Sequence, residues 1–281
     1  MYLQDLVLAM KNGSEIVFEA IQEFENKHDL QAFSNDDVRH YFYGIILGCL
    51  VTYYKGYLFL DLSTKILKEK SSFSNLFTAL EQHALIDTVL DRKSIVRYLS
   101  NCHRNLIIGS WNIFELLITS ISDRLLNQDV KDRLLAFQIE EITSKENELN
   151  DAGKKYLLKK HIAEVPIHRK WNELIKLSKD YNRTWKVDNK FLEFLRDFRN
   201  AGMHSNFVHF GSESRDYSFK NITFKFEFSK VVDYDDPNPL HPNLYLDLNR
   251  ELVAIVDELL RAIPYKDLIP YPDLKAQSMI K

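Results

Sequence analysis

Apolar residues recur at helical spacing through most of the chain, and this pattern predicts a mainly α-helical protein. The clearest stripe predicts one long helix from about residue 91 to residue 127. Its apolar positions lie four or seven residues apart and comprise Ile95, Leu99, Leu106, Ile113, Leu117 and Ile121. Shorter stripes predict further helices over residues 14–27, 37–70, 171–181, 188–202 and 243–263.

Several residues mark where these helices begin and end. Ser14 and Asp188 are expected to cap two of them, because their side-chain oxygens can accept hydrogen bonds from N–H groups in the first turn. Asp36 and Asp37 place negative charge at the start of the second helix, where the helix dipole favours it. The apolar pattern of the helix that begins at Asp188 stops at Gly202, which predicts a helix end there.

Beyond Gly202 the apolar period changes from helical to two, which indicates strands. Residues 222–229 alternate apolar and polar side chains, as a half-buried strand does. Residues 207–210 are the predicted partner strand, joined to the first through a polar loop at residues 211–216. The sequence therefore predicts a helical bundle with a small antiparallel β-hairpin insert near the C-terminus, at about residues 206–232.

The 281 residues suffice for one large domain or two small ones. We expect an N-terminal helical region, residues 1–85, followed by a helical bundle with the hairpin, residues 86–281. The 8 Gly and 7 Pro leave little room for long linkers between such parts. Two cysteines are too few for a disulfide framework or a zinc site. We therefore expect a cytoplasmic protein without a metal or a cofactor.

The net charge of −3 predicts no general surface for binding polyanions. Residues 154–190 depart from this balance, because they contain 11 Lys or Arg residues against four acidic residues. One interpretation of this stretch is an electrostatic approach path for RNA. The other is the solvated face of two helices, and the sequence does not decide between them.

Residues 41–60 raise the question of a membrane span. They contain a single formal charge, Lys55, and the small-residue pair Gly44 and Gly48. Tyrosines are spread along this segment, whereas the tyrosines of spanning helices concentrate at the two membrane interfaces. The pattern therefore favours a buried core helix and a soluble protein without a membrane partner.

Residues 199–204, Arg-Asn-Ala-Gly-Met-His, carry the candidate chemistry. In a chain with 13 Arg and 9 His, arginine followed four to six residues later by histidine is expected about once by chance. A second match, Arg97 to His103, lies in the predicted long helix, and we interpret it as a decoy. Requiring Asn directly after Arg, at the same spacing, lowers the chance expectation to roughly three in a hundred.

A purely structural interpretation of this segment is a helix end, since Arg favours the C-terminal dipole and Gly often follows the last helical residue. A chain reversal at Gly202 would also bring His204 back towards Arg199 and Asn200. Arginine can stabilise the charge of a phosphorane, and histidine can move a proton near neutral pH. Asparagine can orient either group. The segment therefore predicts phosphodiester chemistry.

The run from residue 194 to residue 205, Phe-Leu-Arg-Asp-Phe-Arg-Asn-Ala-Gly-Met-His-Ser, resembles the signature of the HEPN superfamily. That signature is Arg, a polar residue, a few residues and then His, at the end of a bundle helix. A looser resemblance includes residues 171–177 and the long helix before them, so that it extends over roughly residues 86–263. Residues 1–85 lie outside it.

The resemblance implies a metal-independent endoribonuclease, in which a ribose 2′-hydroxyl attacks the adjacent phosphate. Carried over to this chain, His204 is the acid/base, Arg199 the phosphate stabiliser and Asn200 the positioning group. It also implies a homodimer with a composite active site, acting as a toxin or phage-defence effector that an antitoxin or another inhibitory partner restrains. Other members have lost activity and bind only RNA or a partner protein, and this alternative stays open.

Five further residues are weaker candidates for binding RNA. Asn112 and Glu115, close together on the long helix, are expected to reach the motif from a neighbouring helix. His209 follows the motif, and Arg169 and Lys170 lie in the basic stretch. Each has a structural alternative, either as a polar group at the edge of the bundle or as a surface or strand residue.

Overall fold

The computed structural model describes residues 2–68, 92–135, 165–204, 208–209, 214–234, 241–263, 267 and 269–270. Its long helices are α1 (Tyr2–Lys27), α2 (Val38–Lys68), α3 (Arg92–Leu125), α4 (Ile167–Leu177), α5 (Trp185–His204) and α6 (Asn243–Ala262). A short 3₁₀ turn, Leu30–Ala32, precedes α2, and residues 128–135 are also helical. The predicted mainly α fold is confirmed.

The chain divides into two compact units, and each is discontinuous in sequence. The first comprises Met1–Ala32, Phe42–Ile113 and Lys190–Ala254, and the second comprises Phe33–Tyr41, Phe114–Asn189 and Ile255–Lys281. The boundary predicted near residue 85 falls outside the described residues, so the division into residues 1–85 and 86–281 stays a prediction. The residues of the motif segment all belong to the first unit.

One face of α2 forms much of the core of the first unit. Its buried side chains follow one another at intervals of three or four residues and are Phe42, Ile46, Leu50, Tyr53, Tyr57 and Leu60. Two polar side chains in this core are bonded to each other between helices. On α6, the Asn249 amide nitrogen donates to the Ser110 hydroxyl of α3 at 2.7 Å.

α1 approaches α2 closely at Gly13. A Cβ atom added there would lie 2.5 Å from Cδ1 of Tyr57 and closer still to its Cε1. The Tyr57 ring is fully buried, and its hydroxyl forms a hydrogen bond of 3.0 Å with Nε2 of His103. The ring therefore has little room to move aside, and the close approach of the two helices requires glycine.

Replacing Gly13 by alanine is expected to lower the free energy of unfolding by about 1–3 kcal/mol, the usual cost of overfilling a packed core. Gly48→Ala on α2 is the matched control, because no atom lies within 4 Å of a Cβ added there. Alanine at that exposed position should stabilise the helix by about 1 kcal/mol. Urea denaturation measures both changes, and stabilisation by both substitutions would contradict the packing at Gly13.

A small antiparallel sheet lies near the C-terminus, as predicted, but its strands differ from the predicted ones. β1 (Arg215–Phe219) pairs with β2 (Ile222–Phe226), and β2 pairs in turn with the short β3 (Asp233–Tyr234). Residues 207–210 were expected to pair with β2. Of these, Val208 instead forms a single bridge to Val231.

β1 was missed because Tyr217 is its one buried residue, and Asp216 beside it is of a type typical of turns. A two-residue turn joins β1 to β2, and Lys220 in that turn has a positive φ of 52°. The alternation expected to continue to residue 229 ends with β2, and Phe228 beyond it is 60% exposed. The predicted loop at residues 211–216 therefore overlaps the first strand.

The sheet packs against the apolar face of α5. The ring centroid of Phe194 lies 4.7 Å from that of Phe224 and 5.6 Å from that of Tyr217. The rings of Phe191 and Phe219 are also 5.6 Å apart. Aromatic pairs at such distances pack favourably beyond the area they bury. The hairpin therefore fixes the helix that carries residues 199–204.

The helix start predicted at Asp37 is confirmed, and the one predicted at Ser14 is wrong. Oδ1 of Asp37 accepts a hydrogen bond of 2.8 Å from the N–H of Arg39, in the first turn of α2. Helix α1 begins at Tyr2, so Ser14 lies inside it and its hydroxyl donates to the carbonyl of Lys11. A serine inside a helix can bond to a preceding carbonyl as readily as it caps.

The cap predicted at Asp188 is also wrong, because α5 begins at Trp185 and Asp188 lies in its first turn. The buried Asp188 carboxylate accepts hydrogen bonds from the Tyr181 hydroxyl at 2.7 Å and from Nη2 of Arg183 at 2.9 Å. Burial and the neighbouring Asp188 raise the pKa of Tyr181, so its phenol stays protonated and donates. The negative charge still suits the N-terminal dipole.

Two helical segments are long and apolar enough to cross a membrane, Val38–Ser63 and Ser94–Leu125. The inward face of the first forms the core described above, whereas Ile45, Phe59 and Leu62 on its outer face are exposed. Core helices of soluble proteins meet the same criteria, so the finding is weak evidence for a membrane span. Residues 41–60 were expected to form a buried core helix, and one face of α2 is buried in this way.

Candidate functional site

The candidate site lies on the second half of α5, at the edge of its buried face. That face consists of residues one or two turns apart that are buried, namely Phe194, Leu195, Phe198 and Ala201. Arg199 is half-buried beside them, and Asn200 is exposed. The packing of the sheet on one side of α5 therefore leaves Arg199 and Asn200 towards the other side.

Arg199 is held between two asparagine side chains. Its Nη1 donates to Oδ1 of Asn200 at 3.0 Å, and its Nε donates to Oδ1 of Asn112 on α3 at 3.2 Å. Neutral amide oxygens orient the planar guanidinium without cancelling its charge. Asn112 and Asn200 are exposed, so they hold the cation at the protein surface. The expectation that Asn112 reaches the motif from a neighbouring helix is confirmed.

The predicted helix end at Gly202 is wrong, because α5 continues through His204. No glycine among the described residues has a positive φ, so the expected chain reversal is absent there. A single glycine costs a helix only about 1 kcal/mol relative to alanine, and the sheet packed on α5 stabilises the helix independently. In a continuous helix, positions 199 and 204 are separated by about 140° around the axis.

The second Arg-to-His match, Arg97 to His103, lies inside α3, as predicted. The His103 ring is 2% exposed and is stacked 4.1 Å from the ring of Tyr245, and its Nε2 contacts the Tyr57 hydroxyl. Burial lowers the pKa of His103 to about 3. These contacts give His103 a structural role as a neutral core residue.

Protonation of His103 is expected to destabilise the first unit in acid. Because burial holds its pKa at about 3 in the folded protein, the unfolded chain binds one more proton between that value and about 6.5. The free energy of unfolding should then fall by about 1.4 kcal/mol for each pH unit below 6.5 through this residue alone. Denaturant titrations at pH 7 and pH 5 check this, with His103→Gln as the comparison. If the free energy of unfolding of His103→Gln fell as steeply between pH 7 and pH 5, the loss could not be assigned to His103.

Three of the other weak candidates belong to the second unit, and the fourth is buried. Glu115 is half-buried on α3, and Arg169 and Lys170 are half-buried on α4, all within the second unit. There Nζ of Lys170 donates to the Thr119 hydroxyl at 3.2 Å. His209 is buried, and its ring packs edge-on to that of Phe226 at 5.5 Å. Of these five residues, Asn112 is bonded to Arg199 of the motif.

The basic stretch is partly neutralised by its own acids. Within residues 165–190, Lys176 pairs with Glu173 at 2.7 Å, and Arg183 pairs with Asp188 at 2.9 Å. Residues 154–164 lie outside the described part of the chain. Ion pairs of this kind lower the net positive field of residues 165–190, which favours the interpretation as a solvated helix face for that part of the stretch.

Sequence reasoning missed one polar cluster close to the motif. The carboxylate of Asp197, two residues before Arg199, contacts Arg196, Arg215 and Tyr217. Arg196 and Asp197 are neighbours in the sequence. Arg215 and Tyr217 were not expected beside them, because the first strand of the hairpin was predicted at residues 207–210 and not at β1. If residues 215–219 had been predicted as a strand, Arg215 and Tyr217 would have been expected to lie near α5.

In the described part of the chain, no group of three or more His, Cys, Asp or Glu side chains is arranged to hold a metal ion. No family model matches the chain, and neither a curated protein nor a solved structure matches it. The resemblance to the HEPN superfamily therefore depends on the motif residues and their surroundings alone.

Proposed function

We propose that this chain is a metal-independent endoribonuclease of HEPN type that acts in the cytoplasm. The observation that carries the proposal is the Arg199 guanidinium, which is held at the surface by Asn200 and Asn112. A guanidinium stays protonated at neutral pH, and its planar fork matches the oxygens of a phosphate. His204 follows Arg199 by five residues, so that Arg, a polar residue and His are all present as in the HEPN signature.

The proposed reaction is an internal transesterification of RNA. His204, or its copy in a second chain, takes the proton of a ribose 2′-hydroxyl while the oxygen forms a bond to the adjacent phosphorus. Arg199 stabilises the additional negative charge of the phosphorane, and Asn200 keeps the guanidinium in place. The bond from phosphorus to the 5′-oxygen then breaks as that oxygen receives a proton from the protonated imidazole of His204. The products are a 2′,3′-cyclic phosphate and a free 5′-hydroxyl.

The continuous course of α5 favours a site assembled from two copies of the chain. Positions 199 and 204 face directions about 140° apart on such a helix, which makes it difficult for one copy to direct both residues at one phosphate. Two helices related by a two-fold axis can each supply one of the residues to a shared phosphate. In this proposal the protein acts as a toxin or defence effector, and an antitoxin-like partner restrains it.

The proposal is tested by incubating the purified chain with single-stranded RNA in the presence of excess EDTA. We expect cleavage that leaves cyclic phosphate and 5′-hydroxyl ends, and that His204→Ala abolishes. Cleavage that requires a divalent metal, or that yields 5′-phosphate ends, would contradict the proposed chemistry. The chelator and the analysis of the ends together separate this reaction from metal-dependent hydrolysis.

A second candidate function is a HEPN-like module without catalysis that binds RNA or a partner protein. It is favoured by the same contact, because a bond from Arg199 to Asn112 also serves to join α5 to α3. In that case no RNA is cleaved under any condition, and Arg199→Ala lowers thermal stability or affinity for RNA. Cleavage or its absence therefore distinguishes the two candidates, and binding measurements on the uncleaved RNA then separate a module that binds RNA from one that binds a protein.

A further inference from the structure

The Asp197 carboxylate gathers two arginines and a tyrosine beside the motif. Its Oδ1 accepts hydrogen bonds from Nε and Nη2 of Arg196 at 3.2 and 3.1 Å. Its Oδ2 accepts one from the Tyr217 hydroxyl at 3.0 Å and lies 3.6 Å from Nη1 of Arg215. Asp197 itself is buried, at 9% exposure. One buried carboxylate thus fixes two guanidinium groups that come from α5 and β1.

The side chains gathered here bear two positive charges and one negative charge. Two guanidinium groups face one carboxylate, and the Tyr217 phenol stays neutral because burial and the nearby Asp197 raise its pKa. The side chains of Arg196 and Arg215 are 28% and 40% exposed, so both guanidinium groups are accessible to solvent. A guanidinium has five N–H donors, and the bonds from Arg196 to Asp197 use two of them.

The cluster lies next to Arg199 along the helix. Arg196 precedes Arg199 by three residues, so the two are neighbours on the helix surface, with a rise of about 4.5 Å between them. Around the helix axis, position 196 falls between positions 199 and 204. The backbone of α5 therefore places Arg196 about 60° around the axis from Arg199 and about 80° from His204.

We propose that Arg196 and Arg215, both fixed by Asp197, bind the RNA phosphate next to the one that is cleaved. The inference rests on the proposed function, because it takes Arg199 as the contact for the cleaved phosphate. Arginines that are already ordered lose little conformational freedom when they bind an anion, and paired guanidinium groups match phosphate oxygens. The hairpin then has a function, since β1 supplies Arg215 and Tyr217.

The test measures RNA affinity by fluorescence anisotropy with a labelled single-stranded oligonucleotide. All proteins carry His204→Ala, so that cleavage is too slow to alter the RNA during the measurement. We expect Arg196→Gln/Arg215→Gln to lower affinity about tenfold and to reduce the magnitude of the log-affinity slope against log salt by about 0.7 for the lost phosphate contact. Arg196→Lys/Arg215→Lys, which keeps the charges, should retain most of the salt slope and show that the site still folds.

Arg250→Gln is the matched control. Arg250 is an exposed arginine of α6 that is also ion-paired, with Glu23 and Asp247, and its replacement should leave affinity and salt slope unchanged. The inference would be overturned if Arg250→Gln lost as much RNA affinity as Arg196→Gln/Arg215→Gln, or if Arg196→Gln/Arg215→Gln lost none. In the His204-intact protein, the same double substitution should raise KM about tenfold with little change in kcat.

The two proposals fail in distinguishable ways. If the chain binds RNA through Arg196 and Arg215 but never cleaves it, the endoribonuclease proposal fails and the phosphate-binding cluster stands as a binding site. If RNA is cleaved and His204→Ala abolishes cleavage, but Arg196→Gln/Arg215→Gln binds normally, only the inference about the cluster fails.

Discussion

Replacing His204 by alanine is expected to lower the rate of RNA cleavage by about 10²- to 10⁴-fold, the usual contribution of a positioned acid/base. Arg199→Ala is expected to cost about 10²- to 10³-fold, because it removes the cation that stabilises the phosphorane. Both losses should appear in kcat, since the proposed interactions are strongest in the transition state. Single-turnover cleavage of one oligonucleotide at saturating protein measures them without interference from product release.

The chain offers a graded series and an internal control for this measurement. Asn112→Ala removes one of the two amides that orient Arg199, and it should slow cleavage about tenfold, the worth of one hydrogen bond to a charged group. Arg97→Ala changes the exposed arginine of the decoy match and should leave the rate unchanged. Full activity in both Arg199→Ala and His204→Ala would eliminate the proposed site.

The helical content was predictable because it follows from apolar spacing that is local in sequence. The long stripe from Ile95 to Ile121 marks α3 within a few residues, and the buried positions of α2 follow the same rule. Helix ends were less predictable, since they depend on contacts that spacing does not contain. Asp188 looks like a cap, yet its carboxylate is occupied by Tyr181 and Arg183.

The same limit applies to the candidate site. The bond between Arg199 and Asn200 joins neighbours in sequence, and the nomination of Asn112 depended on a neighbouring helix being close. The cluster around Asp197 could not be predicted, because its partners Arg215 and Tyr217 lie in a strand with too few buried positions to form a pattern. Long-range contacts of this kind appear only once the strand pairing is known.

Gly202 is the residue at which the difference between the predicted and the observed structure matters most for the candidate site. As a chain reversal it would have let one chain direct both Arg199 and His204 at a single phosphate. As a residue inside α5 it leaves the two positions about 140° apart. Within the proposed function, this difference converts a site within one chain into a site that needs two, and the pairing of Arg199 and His204 between copies becomes testable.

Mixing two inactive variants is expected to restore cleavage. Arg199→Ala and His204→Ala homodimers each lack one residue at every site, whereas a mixed dimer has one site with Arg199 from one copy and His204 from the other. Random assortment makes about half of the dimers mixed, each with one intact site of two, so about a quarter of the wild-type rate should return. Co-expression with two different affinity tags and sequential purification yields the mixed dimer, in which half of the wild-type rate is expected.

The control is a dimer of tagged His204→Ala with untagged Arg199→Ala/His204→Ala, which contains no intact pair and should stay inactive. If Arg199 and His204 of the same chain act together, the mixed dimer also has no complete site and remains as inactive as either parent. Recovery of activity therefore separates catalysis between copies from catalysis within one copy. Absence of recovery, in a mixed dimer shown by both tags to have formed, would restrict the proposed chemistry to one chain and require His204 to be brought to Arg199 by a change in the end of α5.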